Sequence, residues 1–283
     1  IERGLNTMNE ENDPFESVDD SQSNNKTFAI VTLFIIICIL IGIAAYFYFS
    51  HKTVDSKFGC PLVNGEPTPV GHTIVLVDET DPLSPIQADF FKVQMEQVVR
   101  KQMKAGELLS LYSISGDPNT NRRPLIEVCK PRDGSDANRL NENEKLMKKR
   151  FYERFAKPIN QLIEKLTNKK EPEKISPIME TIQFASVNSL RKWNVRGERR
   201  LLVFSDMLQN TEGFSLYRGT PSFTVFEGSP YASETKAYLP NVEVQLYYFV
   251  NEPKLQTKSN LAFWEQYFLK DGATVDSVIP VGK

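Results

Sequence analysis

Apolar residues are unevenly spread along the chain. Residues 28–49 read FAIVTLFIIICILIGIAAYFYF, 22 positions without a charge or a proline. As a helix rising about 1.5 Å per residue they reach ~33 Å, enough to cross a hydrocarbon core of ~30 Å. A buried core helix would carry a polar stripe, and this segment has none. A cleaved signal peptide has a shorter apolar run that ends at small residues. Here the run ends in Tyr46, Phe47, Tyr48 and Phe49, then His51 and Lys52, an aromatic belt followed by a base. One transmembrane helix is expected over 27–50.

Beyond it the pattern changes. Residues 51–71, with Pro61, Pro67, Pro69, Gly59, Gly65 and Gly71, predict a linker or an irregular lead-in. HTIVLVD (72–78) is a continuous apolar run ending in an acid, as in a strand buried on both faces. Residues 84–105 predict a helix, with Ser84, Pro85 and Gln87 as N-cap, first-turn proline and capping-box partner. ELLSLYSIS (107–115) and PLIEVCK (124–130) predict two more strands, and 143–168 a helix with Phe151, Phe155, Ile159, Leu162 and Leu166 on one face. Ser176 and Pro177 are expected to cap and open a helix reaching about Trp193. RRLLVFSD (199–206) repeats the apolar-then-acid pattern. A long aromatic loop (209–230) and a short helix (231–238) precede a strand (242–250), a helix (257–270) and a last strand (273–279).

Strands alternating with helices imply an α/β domain over 72–283. Its sheet should be mainly parallel and Rossmann-like, with helices on both faces and right-handed crossovers. The chain of 283 residues, 40% hydrophobic, has material for such a core. Residues 1–26 hold seven acids against two bases and predict a disordered acidic tail. Met8 is a candidate first residue, so residues 1–7 are given no structural weight. The net charge of −2 gives no nucleic-acid signal.

Ligands of such a sheet bind beyond the carboxyl ends of its strands. Asp78 and Asp206 end two strands there, and Ser176 opens a helix nearby. Carboxylates and hydroxyls in one crevice suit a hard cation, Mg²⁺ or Mn²⁺. The same residues serve equally as helix caps, where carboxylates and hydroxyls are favoured.

The order of elements over about 70–281 resembles a von Willebrand factor A domain. That family holds a divalent metal through an Asp-x-Ser-x-Ser loop after the first strand, a later Thr or Ser, and an Asp after the fourth strand. The resemblance assigns the metal to Asp78, Thr80, Ser176 and Asp206. Pro82 stands where the last Ser of the loop belongs and offers no hydroxyl; Asp81 or Ser84 are the substitutes. It further implies adhesion or assembly scaffolding with another protein as partner, no small-molecule substrate and no catalysis.

Two other classes compete. A metal-dependent phosphoesterase or nuclease would use Asp78, Asp81 and Asp206 to hold two metals. A structural membrane subunit would keep only a vestigial crevice. The two histidines, His51 and His72, lie away from the crevice, which disfavours a Ser-His-Asp site. There is no GxGxxG and no P-loop. The basic stretches 145–157 and 191–200 read as solvated surface, the former with lipid headgroups or an acidic partner as an alternative. The loop 209–230, with Phe214, Tyr217, Phe223 and Phe226, is expected to contact the partner.

Of three cysteines, Cys38 lies in the apolar segment. If the third strand runs antiparallel to the first, Cys60 and Cys129 share the edge opposite the crevice. A disulfide between them would imply an oxidising compartment; two separate thiols are the alternative. Lys26 against Lys52 and Lys57 favours a cytoplasmic domain by the positive-inside rule. The cysteines and the short tail favour a periplasmic or extracytoplasmic domain on a bacterial inner membrane, the reading adopted.

Overall fold

The computed structural model describes residues 21–50, 54–138, 142–169 and 171–282. The chain divides into two compact units, Ile1–Lys52 and Thr53–Lys283. The first carries one helix, α1 (Ser21–Ser50). Its stretch Phe28–Tyr46 is long and apolar enough to cross a membrane, and none of it is buried by protein. The 19 residues span about 28 Å. The helix starts six residues inside the expected disordered tail. Once a helix is nucleated, each added residue gains a backbone bond at little further cost. Residues 1–20 of that tail lie outside the described residues.

The second unit opens with a hairpin of β1 (Leu62–Val63) and β2 (Glu66–Pro67). Asn64 and Gly65 turn it with φ of 54° and 83°, the left-handed pair that a two-residue hairpin needs. There follow β3 (His72–Asp78), α2 (Pro85–Gln97), β4 (Leu108–Ile114), α3 (Pro118–Asn121), β5 (Ile126–Cys129), α4 (Glu144–Phe151), α5 (Lys157–Thr167) and α6 (Ile178–Ala185). The chain ends with β6 (Arg199–Ser205), α7 (Phe223–Glu227), α8 (Pro230–Glu234), β7 (Val242–Phe249), α9 (Lys258–Lys270) and β8 (Thr274–Val281).

Six strands form one sheet in the order β5-β4-β3-β6-β7-β8. All neighbours are parallel except β5, which pairs antiparallel with β4. Alternate residues of each central strand point to opposite faces. Ile74, Leu76, Leu201, Val203, Val244 and Leu246 meet α6 and α9 on one side. Val75, Val77, Leu202, Phe204, Tyr247 and Phe249 meet α2, α4 and α5 on the other. This is the expected mainly parallel α/β sheet with helices on both faces.

The segment expected to be a linker or an irregular lead-in is ordered from Val54 onward. Asp55 accepts from the backbone N–H groups of Lys57, Phe58 and Cys60 at 2.8, 2.8 and 2.7 Å. Cys129 N donates to Phe58 O, and Arg196 N to Pro69 O. Cys60 and Cys129 are joined in a disulfide, with Cα atoms 4.9 Å apart. Phe58 lies edge-on to Trp193, with centroids 4.9 Å apart, and Lys192 sits over both rings. A proline- and glycine-rich segment stays ordered when a neighbouring edge satisfies its backbone groups. Trp193 and Val195 are buried, so the stretch 191–200 is only partly a solvated turn.

Candidate functional site

From β3 the chain crosses to β4 on one side, and from β6 to β7 on the other. This reversal opens a crevice beyond the carboxyl ends of β3 and β6. Asp78 is the last residue of β3, and Asp206 follows the last residue of β6. Both are buried, with 5% and 6% of their surface exposed. Because burial is this deep, the partners of the two carboxylates decide what the crevice can hold.

Asp78 is held by hydroxyls. Its Oδ1 accepts from Thr80 N at 3.0 Å and Thr80 Oγ1 at 2.6 Å. Its Oδ2 accepts from Ser205 Oγ at 2.6 Å and, more loosely, from Ser176 Oγ at 3.4 Å. Asp206 Oδ1 accepts from Leu208 N at 2.9 Å. Its backbone carbonyl accepts from Gln256 Nε2 at 2.9 Å. The Asn251 side chain, which accepts from Gln87 Nε2 at 2.9 Å, lies near enough to the Asp206 carboxyl to favour its charge. Among the described residues neither carboxylate is within hydrogen-bond or ion-pair reach of a Lys, Arg or His side chain.

Burial therefore dominates the electrostatics. It pushes the Asp78 carboxyl above its usual range, against the pull of the Ser205 and Thr80 hydrogen bonds. It pushes Asp206 well above its usual range, and repulsion from Asp78 and Asp81 adds to the effect. Tyr217, from the loop after β6, is also raised, first by burial and then by Asp206, Asp81, Asp78 and Glu252. Its side chain keeps 43% of its surface exposed.

Backbone geometry fixes the two acids. Met207, just after Asp206, has φ 58°, a conformation that costs a non-glycine residue about 1–3 kcal/mol. Ser205 Oγ accepts from Met207 N, and Trp264 Nε1 donates to Met207 O at 2.8 Å. These contacts turn the chain sharply at Asp206.

The structure brings Asp78, Thr80, Ser176 and Asp206 to one crevice. Asp81 is half-buried and acts on both acids through its charge. Ser84 does not reach the site: its Oγ accepts from Gln87 N at 3.2 Å as the cap of α2, and Gln87 Oε1 accepts from Ser84 N. Pro82 is exposed. Ser176 does not cap the next helix, as had been expected. That helix starts at Ile178, and Gln209 Oε1 accepts from Met179 N in its first turn. A residue before proline is pushed to extended backbone. Ser176 accordingly makes a two-way backbone pair with Asn210, which leaves its hydroxyl for Asp78.

Sequence reasoning missed Ser205, Asn251 and Gln87. Ser205 carried a signal, being the residue before the acid in an otherwise apolar strand. Asn251 carried none, and Gln87 only that of a capping box, since the two meet across 164 positions. Three aromatics of the loop 209–230 turn towards the core. Phe226 is buried, and Phe214 and Phe223 pack against the same core beside Phe263. Tyr217 and Val225 are the large hydrophobic side chains it exposes.

The carboxylates and hydroxyls are all hard oxygen donors of the class that divalent cations of the s-block take. Among the described residues no group of three or more His, Cys, Asp or Glu is placed to hold a metal ion. His51 lies outside the described residues. His72 Nε2 is 2.9 Å from Ser110 Oγ, which donates to Glu127 Oε1 at 3.1 Å. This is not a triad. The serine, not the histidine, is the central member, and His72 and Ser110 are fully buried.

No protein-family model matches the chain, and no curated protein matches it. Among solved structures, the VWA domain of SpRpn10 aligns with 8% identity and a TM-score of 0.35, over 75% of this chain and 88% of that one. The fold described above rests on strand order and register.

Proposed function

We propose that residues 54–282 are a von Willebrand A-type module that binds another protein at the Asp78–Asp206 crevice, with a divalent cation between module and partner. One observation carries this reading: two buried carboxylates converge at the sheet's switch point with hydroxyls and without a cationic side chain. Such a pair favours either a proton or a bound cation. Asp78, Asp206, Thr80 and Ser176 would hold Mg²⁺ or Mn²⁺, with Asp81 in place of the hydroxyl that Pro82 lacks. The bound ion would supply an open coordination position for a carboxylate of the partner. Ser205 and Asn251 would orient the two acids.

In this reading the module is not an enzyme, and α1 is an uncleaved anchor in a membrane. The Cys60–Cys129 disulfide supports an oxidising, extracytoplasmic side. Calorimetric titration with Mg²⁺ and Mn²⁺ tests the site. Binding with a Tm increase, lost in Asp78→Ala and in Asp206→Ala, is expected. A chain that takes neither ion would sink the cation reading, and hydrolysis of a generic phosphodiester, lost in Asp78→Ala, would replace it with the phosphoesterase.

A further inference from the structure

The edge of the sheet opposite the crevice gathers three segments distant in sequence. Backbone hydrogen bonds join them: Cys129 N to Phe58 O, Val70 N to Gly106 O, Arg196 N to Pro69 O and His72 N to Glu198 O. The segments are the lead-in 54–71, the helical turn and loop that follow α2 at 98–107, and the stretch 190–198. Together they contain seven Lys and Arg residues and four Asp and Glu residues. Two of those acids are consumed internally. Asp55 accepts three backbone N–H groups, and Glu107 is buried against Arg200 at 2.7 Å.

The cations remain at the surface. Lys57, Lys101, Lys104, Arg191, Lys192 and Arg196 are all exposed. Lys104 faces Glu198 and Lys192 faces Glu127. Among the described residues the other four have no carboxylate within ion-pair distance. The same edge is where the chain arrives from the apolar helix. Val54 bridges to Pro61 there, eight residues after Tyr46.

We infer that this basic edge binds the anionic headgroups of the bilayer that carries the anchor. The inference rests on reading α1 as a membrane anchor. Two features select lipid as the occupant: the sign of the charge, and the entry of the chain from the apolar helix at this same edge, where Val54 bridges to Pro61. Basic residues near an anionic surface each add about a fivefold gain in partitioning, and salt removes it. Trp193 and Phe58, clasped between Lys57 and Lys192, hold the cations on a rigid platform rather than a loose loop.

The test uses the full chain reconstituted in vesicles of phosphatidylcholine alone, or with phosphatidylglycerol added. Surface lysines are labelled with an amine reagent and quantified by mass spectrometry. The anionic vesicles should protect Lys57, Lys101, Lys104 and Lys192, and leave Lys174 and Lys254 at the crevice edge unchanged. Protection should vanish in molar salt, where the screening length falls to about 3 Å. The variant Lys101→Glu/Lys104→Glu/Arg196→Glu, folded by circular dichroism, should lose protection at Lys57 and Lys192. Its soluble residues 53–283 should bind anionic vesicles about a hundredfold less well than the native ones. Equal labelling in both vesicle types overturns the inference. Failure of the full chain to float with neutral vesicles in high salt would instead overturn the anchor, while the soluble-domain arm still reports on the basic edge.

Discussion

Asp206 shows what a residue's surroundings can reverse. An aspartate after a strand is ordinarily a solvated or capping acid; here burial and a second acid make its charge unfavourable. With both carboxyls raised, the folded protein holds more protons than the unfolded chain at pH values above the ordinary aspartate pKa. Their contribution to stability is therefore present at acid pH and lost as pH rises through the folded values. Asp271, raised to about 6 by burial, acts in the same direction. His72, lowered to about 3 by burial, acts oppositely: its contribution is lost as pH falls from about 6.5 towards 3. In metal-free protein, Asp206→Asn should raise Tm at pH 7, by about 2–4 °C for each kcal/mol of repulsion removed. The gain over the native protein should shrink as pH falls below 7 and the native carboxyl takes up its proton. Thermal unfolding across that range checks it; a constant or negative difference would count against a strained carboxylate pair. The sequence showed which acids end strands. It could not show that Ser205 and Asn251 would hold them, because hydrogen-bond partners are set by packing.

Elements were more legible than their ends. The apolar runs ending in Asp78 and Asp206 placed two strands because a strand covered on both faces has no polar alternation. The Ser84–Gln87 capping box also formed as read. Ser176–Pro177 misled, since a hydroxyl before proline fits a cap and an extended bridge equally well. The lead-in was legible only in part. Its prolines and glycines argue against regular structure but say nothing about docking. Asn64–Gly65, the strongest hairpin signal in that segment, passed unread between strands of only two residues. The disulfide closes a loop of 69 positions, for which chain-entropy reasoning gives about 4 kcal/mol. Cys60→Ser/Cys129→Ser should lose about that much in urea unfolding. Native-state proteolysis should then cut first within 54–60. Early cutting elsewhere, with stability unchanged, would mean that the Phe58–Trp193 clasp suffices.

At the scale of the molecule the domain is polarised. Acids occupy the crevice edge and bases the edge where the chain arrives. Both cores draw on residues after 72 alone, so removal of residues 1–52 should leave Tm within a few degrees and unfolding a single transition. A large drop, measured by calorimetry, would show that the domain needs its first unit. The sequence by itself determined the apolar helix, the alternation of strands and helices and the acids at strand ends. Each follows from local periodicity or from a run of one residue type, which neighbours along the chain specify. Only the tertiary structure decided that Ser176, Ser205 and Asn251 meet those acids, that Cys60 meets Cys129, and that three scattered basic segments form one edge. Those contacts join residues far apart in the chain. Strand order and the packing of both faces fix them, and neither can be read from spacing.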